Sequence, residues 1–149
     1  MKTTKDPSIR LTIICVYVFA AILLLADIFA FKWVRWYVDW RLMSPAVVKK
    51  MLITFYTASV FGWVCLWSLF NLLSNISKAL VFSESNVRLM RIIAWCCGIA
   101  AVIFLLSGAY YAPFLLVAVA AAFMMLIVRV VRNAFMQAIE MKSELDLTI

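Results

Sequence analysis

The sequence contains no histidine, which removes the commonest general base and the commonest metal ligand. It has four cysteines but no Cys-x-x-Cys pair, so neither a zinc site nor a thioredoxin-like redox motif finds its spacing. Cys15, Cys65, Cys96 and Cys97 all fall inside apolar runs, where apolar packing is the expectation. Adjacent Cys96 and Cys97 cannot both face one side of a helix, which argues against a membrane disulfide oxidoreductase. There is no Gly-rich phosphate loop, no pair of carboxylates within one apolar run, and no Ser/His/Asp or Cys/His set. The reading is therefore not an enzyme, with no catalytic, metal or cofactor residues to assign.

Charge is also scarce, at 14% of residues, and what fills the chain instead is apolar: 68%, with a mean hydropathy of +1.07. A soluble domain carries roughly 45–50% apolar residues. With about 80 residues in membrane spans of about 20 each, the 149 residues leave little for a separate soluble catalytic or DNA-binding domain. One four-helix transmembrane domain over 1–149 is expected. Four runs are long enough to cross: Leu11 to Phe31, Met51 to Leu73, Ile92 to Ala109, and a fourth over 113–131. Unalternating runs of this length exclude barrel strands, and lipid leaves helices as the remaining spanning structure. The segment Met1 to Pro7 resembles the charged region of a signal peptide, but the run behind it is too long and lacks a small-residue cleavage pattern. It is read as the first span.

The net charge of +7 sits in residues that flank the runs, a pattern of orientation and phospholipid contact and not of direct nucleic-acid binding. Lys2, Lys5, Arg10, Lys78, Arg88, Arg91, Arg129, Arg132 and Lys142 lie on one side, nine against the five of Lys32, Arg35, Arg41, Lys49 and Lys50. The positive-inside rule then places both termini in the cytoplasm.

After the first span, Trp33, Trp36, Tyr37 and Trp40 recur at i, i+3, i+4 and i+7 with Lys32, Arg35, Asp39 and Arg41 between them. This reads as an interfacial helix carrying an aromatic belt, or as a platform for lipid or a hydrophobic ligand. On the cytoplasmic side Ser83 fits an N-cap, Glu84 favours the positive end of the helix dipole, and Phe82 could staple onto Val87. The third helix should therefore begin well before the membrane. The short hairpin from Ser107 to Pro113 makes the third and fourth spans antiparallel neighbours. Small residues four apart, Ala26/Ala30, Ala58/Gly62, Ala94/Gly98 and Ala118/Ala122, would let helix backbones approach.

Asp27 is the one acidic residue inside a run. It is either a proton- or cation-coupled carboxylate, as a small transporter or an accessory subunit would need, or an interfacial group that is hydrated or paired with a basic residue such as Lys32. Thr54, Tyr56, Thr57, Ser59 and Ser68 could line a small cavity or merely bond within and between helices.

Two stretches carry a resemblance: Asn71-Leu72-Leu73 with Val81-Phe82-Ser83-Glu84-Ser85-Asn86-Val87-Arg88-Leu89-Met90-Arg91-Ile92, and the tail Ala138-Ile139-Glu140-Met141-Lys142-Ser143-Glu144-Leu145-Asp146-Leu147-Thr148-Ile149. They resemble the YoaS-like bacterial four-helix membrane proteins, a family of unknown function. That family has a Phe-Thr-x-x-Asn-Val-x-x-Leu-like start to its third helix and a tail close to Glu-Asn-Asp-Leu-Thr-Ile. Ser83 stands here for the usual Thr, and Leu145 for the usual Asn. Because its members tend to be encoded beside a very small helix-turn-helix regulator, the resemblance implies a membrane partner or regulator of such a protein. Ser83, Asn86, Arg88, Glu144 and Asp146 are the candidate cytoplasmic docking residues, and the tail after Arg132, with Phe135 and Ile139 at helical spacing, is either a docking end or a solvated helix end.

The sequence thus predicts an all-α integral membrane bundle of four transmembrane helices, with an interfacial aromatic helix after the first span and a cytoplasmic C-terminal helix extension. It belongs in a bacterial inner membrane, with lipids, a cytoplasmic regulatory protein and a second copy of itself as the partners compatible with it.

Overall fold

The computed structural model describes residues 7–148; Lys2, Lys5 and Ile149, used above for orientation and resemblance, lie outside them. Those residues form four helices: α1 (Pro7–Trp40), α2 (Ala46–Ser77), α3 (Glu84–Ser107) and α4 (Phe114–Thr148). Each covers one of the expected apolar runs to within two residues, α3 ending at Ser107 and α4 starting at Phe114, and each is long and apolar enough to cross a bilayer. The chain is a multi-pass membrane protein.

The helices run further than the hydrocarbon requires. The 34 residues of α1 reach about 51 Å against about 30 Å of hydrocarbon. The aromatic stripe is thus not a separate interfacial helix but the last turns of α1, since no Gly or Pro interrupts the chain between Phe31 and Trp40. What ends α1 is a left-handed residue, Leu42 at φ 51°. The Met43 N–H closes back on the Val38 carbonyl at 3.0 Å, and the Leu42 N–H on the Asp39 carbonyl at 3.2 Å. This is the usual αL helix end, with Leu where Gly is preferred. The end of α2 repeats it with Ala79 at φ 63°, where Leu80 bonds Asn75 and Ala79 bonds Ile76, each at 3.0 Å.

Each helix packs its backbone against the next in sequence: α1 on α2, α2 on α3, α3 on α4. In lipid the association rests on close van der Waals fit, because lipid tails are as apolar as the side chains they replace. The small residues supply that fit. Ala30, Ala94 and Ala118 are buried, and a Cβ on Gly98 would sit 2.8 Å from Met125 Sδ of α4. Toward the α2–α3 loop, Leu72, Leu89, Met90 and Ile93 form a buried cluster with Phe135 of α4 packed on it.

Hydroxyls fasten the opposite end. Thr54 Oγ1 lies 2.7 Å from both Ser107 Oγ and Tyr110 Oη, and Tyr110 also donates to the Lys50 carbonyl at 3.3 Å. Tyr37 and Tyr111 share a hydrogen bond between their hydroxyls. These bonds join α1 and α2 to the α3–α4 hairpin, each polar group finding a partner that lipid could not provide.

Candidate functional site

Tyr56, Ser59 and Trp63 stand at i, i+3 and i+7 on α2, so they share one stripe of that helix. That stripe meets Asp27. Ser59 Oγ donates to Asp27 Oδ1 at 2.6 Å and Trp63 Nε1 donates to Asp27 Oδ2 at 2.8 Å. The Tyr56 hydroxyl donates to the Asp27 carbonyl at 3.1 Å. Asp27 is half-buried and is held by neutral donors alone; neither Lys32 nor any other described basic residue pairs with it. An ionised carboxylate offers about four acceptor positions, so two side-chain donors leave its capacity half used.

One turn inward from Asp27 a cavity of about 350 Å³ opens between the helices. All four contribute to its wall, with Leu23 from α1, Ser59 and Gly62 from α2, Phe104 from α3 and Met124 from α4. Asp27 is joined to the cavity wall through Ser59. Cys65, Cys96 and Cys97 line the same cavity, although the sequence argument put the adjacent pair on different sides. Residues about 100° apart on a helix can both border a space this wide. The residues that sequence reasoning left unconnected to Asp27 are Ser59 and Trp63, 32 and 36 positions away. The i, i+3, i+7 stripe facing a lone carboxylate was the available signal.

The aromatic belt divides. Trp33, Trp36 and Trp40 are exposed, and Trp36 stacks on Trp40 with ring centroids 6.3 Å apart. Tyr37 turns inward onto Tyr111. The three indoles therefore face the surroundings at one end of the molecule, and the tyrosine is an inter-helix tie.

At the other end the candidate docking residues also separate. Ser83 caps α3, its Oγ accepting from the Asn86 N–H at 3.4 Å, and the Phe82 ring lies against Phe135 at 5.8 Å between centroids. Asn86 is wholly buried. Its Nδ2 donates to the Leu80 and Val81 carbonyls at 2.7 and 2.8 Å, and its Oδ1 accepts from Asn75 Nδ2 at 2.9 Å. With its amide spent on the α2–α3 loop, Asn86 presents no face to a partner. Its place as a docking residue is corrected to a loop clamp. Arg88, Glu144 and Asp146 are exposed. Arg88 lines a groove of about 350 Å³ with Glu84 and Arg91 of α3 and Ile139 and Glu140 of α4. Glu144 and Asp146 follow on the part of α4 beyond that groove.

The family DUF2975, described as a protein of unknown function, matches residues 9–149, and the chain belongs to it. The match bears out a family of unknown function across nearly the whole chain, and it does not bear out the YoaS-like name. No curated protein and no solved structure matches the chain.

Proposed function

We propose that this member of the DUF2975 family is a bacterial inner-membrane protein with no catalytic centre, which acts by binding a cytoplasmic regulatory protein where α3 begins and α4 ends. The supporting observation is the groove at that end. It sets Arg88 and Arg91 beside Glu84 and Glu140 around the apolar floor of Val87 and Ile139, a pattern suited to a helix with one apolar face and charged borders. Beyond the groove α4 continues with exposed Leu145 and Leu147 between the acidic Glu144 and Asp146. The excess of Lys and Arg at this end favours its cytoplasmic placement, and the family resemblance favours a small helix-turn-helix protein as the occupant.

Crosslinking and pulldown from native membranes tests this, comparing the intact chain with Arg88→Glu and with a chain truncated after Arg132. Capture by the intact chain alone is expected. Equal capture by all three, or none by any, overturns the reading. The charge reversal is the cleaner arm, because truncation also removes Phe135 from the cluster it packs on.

A second reading, a small transporter or an accessory subunit of one, is favoured by the position of Asp27. Its carboxylate faces α2 and the wall of a shared cavity where a headgroup-facing group would have none of these contacts. Loss of ion or drug flux in proteoliposomes carrying Asp27→Asn is the expected result on that reading, and unchanged flux refutes it.

A further inference from the structure

We propose that Asp27, Ser59 and Trp63, with the cavity behind them, form a binding site for a lipophilic organic cation. The inference rests on the transport reading for its biological use, but binding is measured apart from flux, so that either can fail alone.

Three observations carry it. The first is charge: the Asp27 carboxyl is set among neutral groups, its side-chain partners among the described residues being a hydroxyl and an indole N–H. A charge placed in a bilayer without a counterion is costly, and a cation that arrives with its own apolar coat offsets that cost without having to shed a tight hydration shell. The second is the wall. The cavity of about 350 Å³ is lined almost entirely by apolar groups, Leu23, Phe55, Phe104 and Met124 among them. This is the lower end of the size range of small-molecule pockets, with few polar groups to fix orientation. Trp63 at the carboxylate and Tyr56 at the Asp27 main-chain carbonyl add aromatic rings, whose faces attract a diffuse positive charge.

The third is access. Trp63 is 36% exposed and Tyr56 44%, and both belong to the side of α2 that borders lipid, so the site opens laterally toward the bilayer. A lipophilic cation partitions into that layer and reaches Asp27 without an aqueous pore. A compact, strongly hydrated ion has no comparable route through the apolar wall. Asp39 provides the internal contrast: it lies in the last turn of α1 and is exposed.

The test is equilibrium binding of labelled tetraphenylphosphonium to the full chain purified in detergent, with tetraphenylborate as an anion of the same shape. Saturable binding of the cation is expected, weakened about tenfold or more in Asp27→Asn, largely retained in Asp27→Glu and unchanged in Asp39→Asn. Trp63→Phe, which keeps an aromatic ring but removes the indole N–H, should bind the cation more weakly than the unaltered chain. The proposal is overturned if the cation does not bind, if Asp27→Asn binds it as well as the original chain, or if the borate binds equally. Should Asp27→Asn lose its helical circular dichroism, the cation-against-borate comparison on the unaltered chain decides.

Discussion

Replacing Asn86 with leucine should unlatch the loop between α2 and α3. The side chain is wholly enclosed and makes three hydrogen bonds: two donated to Leu80 and Val81 and one accepted from Asn75. Leucine has a similar volume and can make none of them. Each such bond contributes about 1 kcal/mol net, and the groups left behind lose partners in a space closed to water. We predict a loss of about 3 kcal/mol, a large share of the 5–15 kcal/mol that holds a typical domain together. Unfolding by sodium dodecyl sulfate in mixed micelles, followed by far-ultraviolet circular dichroism, reads that difference. A double-mutant cycle with Asn75→Ala should give a coupling of about 1 kcal/mol between the two amides. A loss of less than about 1 kcal/mol in Asn86→Leu, or no coupling to Asn75, would refute the assignment of Asn86 as the clamp.

Leu42→Gly and Ala79→Gly should each stabilise the protein, by about 1 kcal/mol in the same titration, because both positions hold a left-handed backbone that a Cβ penalises. Gly108→Ala should do the reverse by about 1–3 kcal/mol; its Cβ would fall 2.7 Å from Leu115 Cγ, so the α3–α4 hairpin would have to shift. Thr54→Val keeps the shape but removes the hydroxyl shared with Ser107 and Tyr110, and a loss of about 1–2 kcal/mol is expected. For orientation, a membrane-impermeant maleimide added to whole cells should label Leu42→Cys, a site 93% exposed in the α1–α2 turn, and not Leu147→Cys, 84% exposed on α4. The opposite labelling would invert the topology.

Hydropathy made the four helices legible, because a run such as Leu11 to Phe31 has no other stable form in lipid. Capping preference placed Ser83 at the start of α3, and a short uncharged stretch ending in Pro113 placed the hairpin before Phe114. Hydropathy could not say how each helix is rotated about its own axis, since an almost uniformly apolar surface has little periodicity to read. Asp27 could be singled out as unusual while its bond to Ser59 and Trp63 stayed hidden, and the cavity thiols of Cys65, Cys96 and Cys97 were assessed one helix at a time. Asn86 was misplaced for a related reason. An amide next to a cap in a polar loop looks like surface, and only the turn of the chain at Ala79 brings the Leu80 and Val81 carbonyls around to it.

Because every helix packs on its neighbour in sequence, the protein can be assembled in the order in which it is synthesised. When α2 enters the bilayer its partner α1 is already there, and α3 and then α4 each find a waiting surface. Such neighbour-to-neighbour contacts keep loop-closure costs low. Two polar groups of the spans are matched in this order: Asp27 by Ser59 and Trp63 of the very next span, and Thr54 by Ser107 of the span after that.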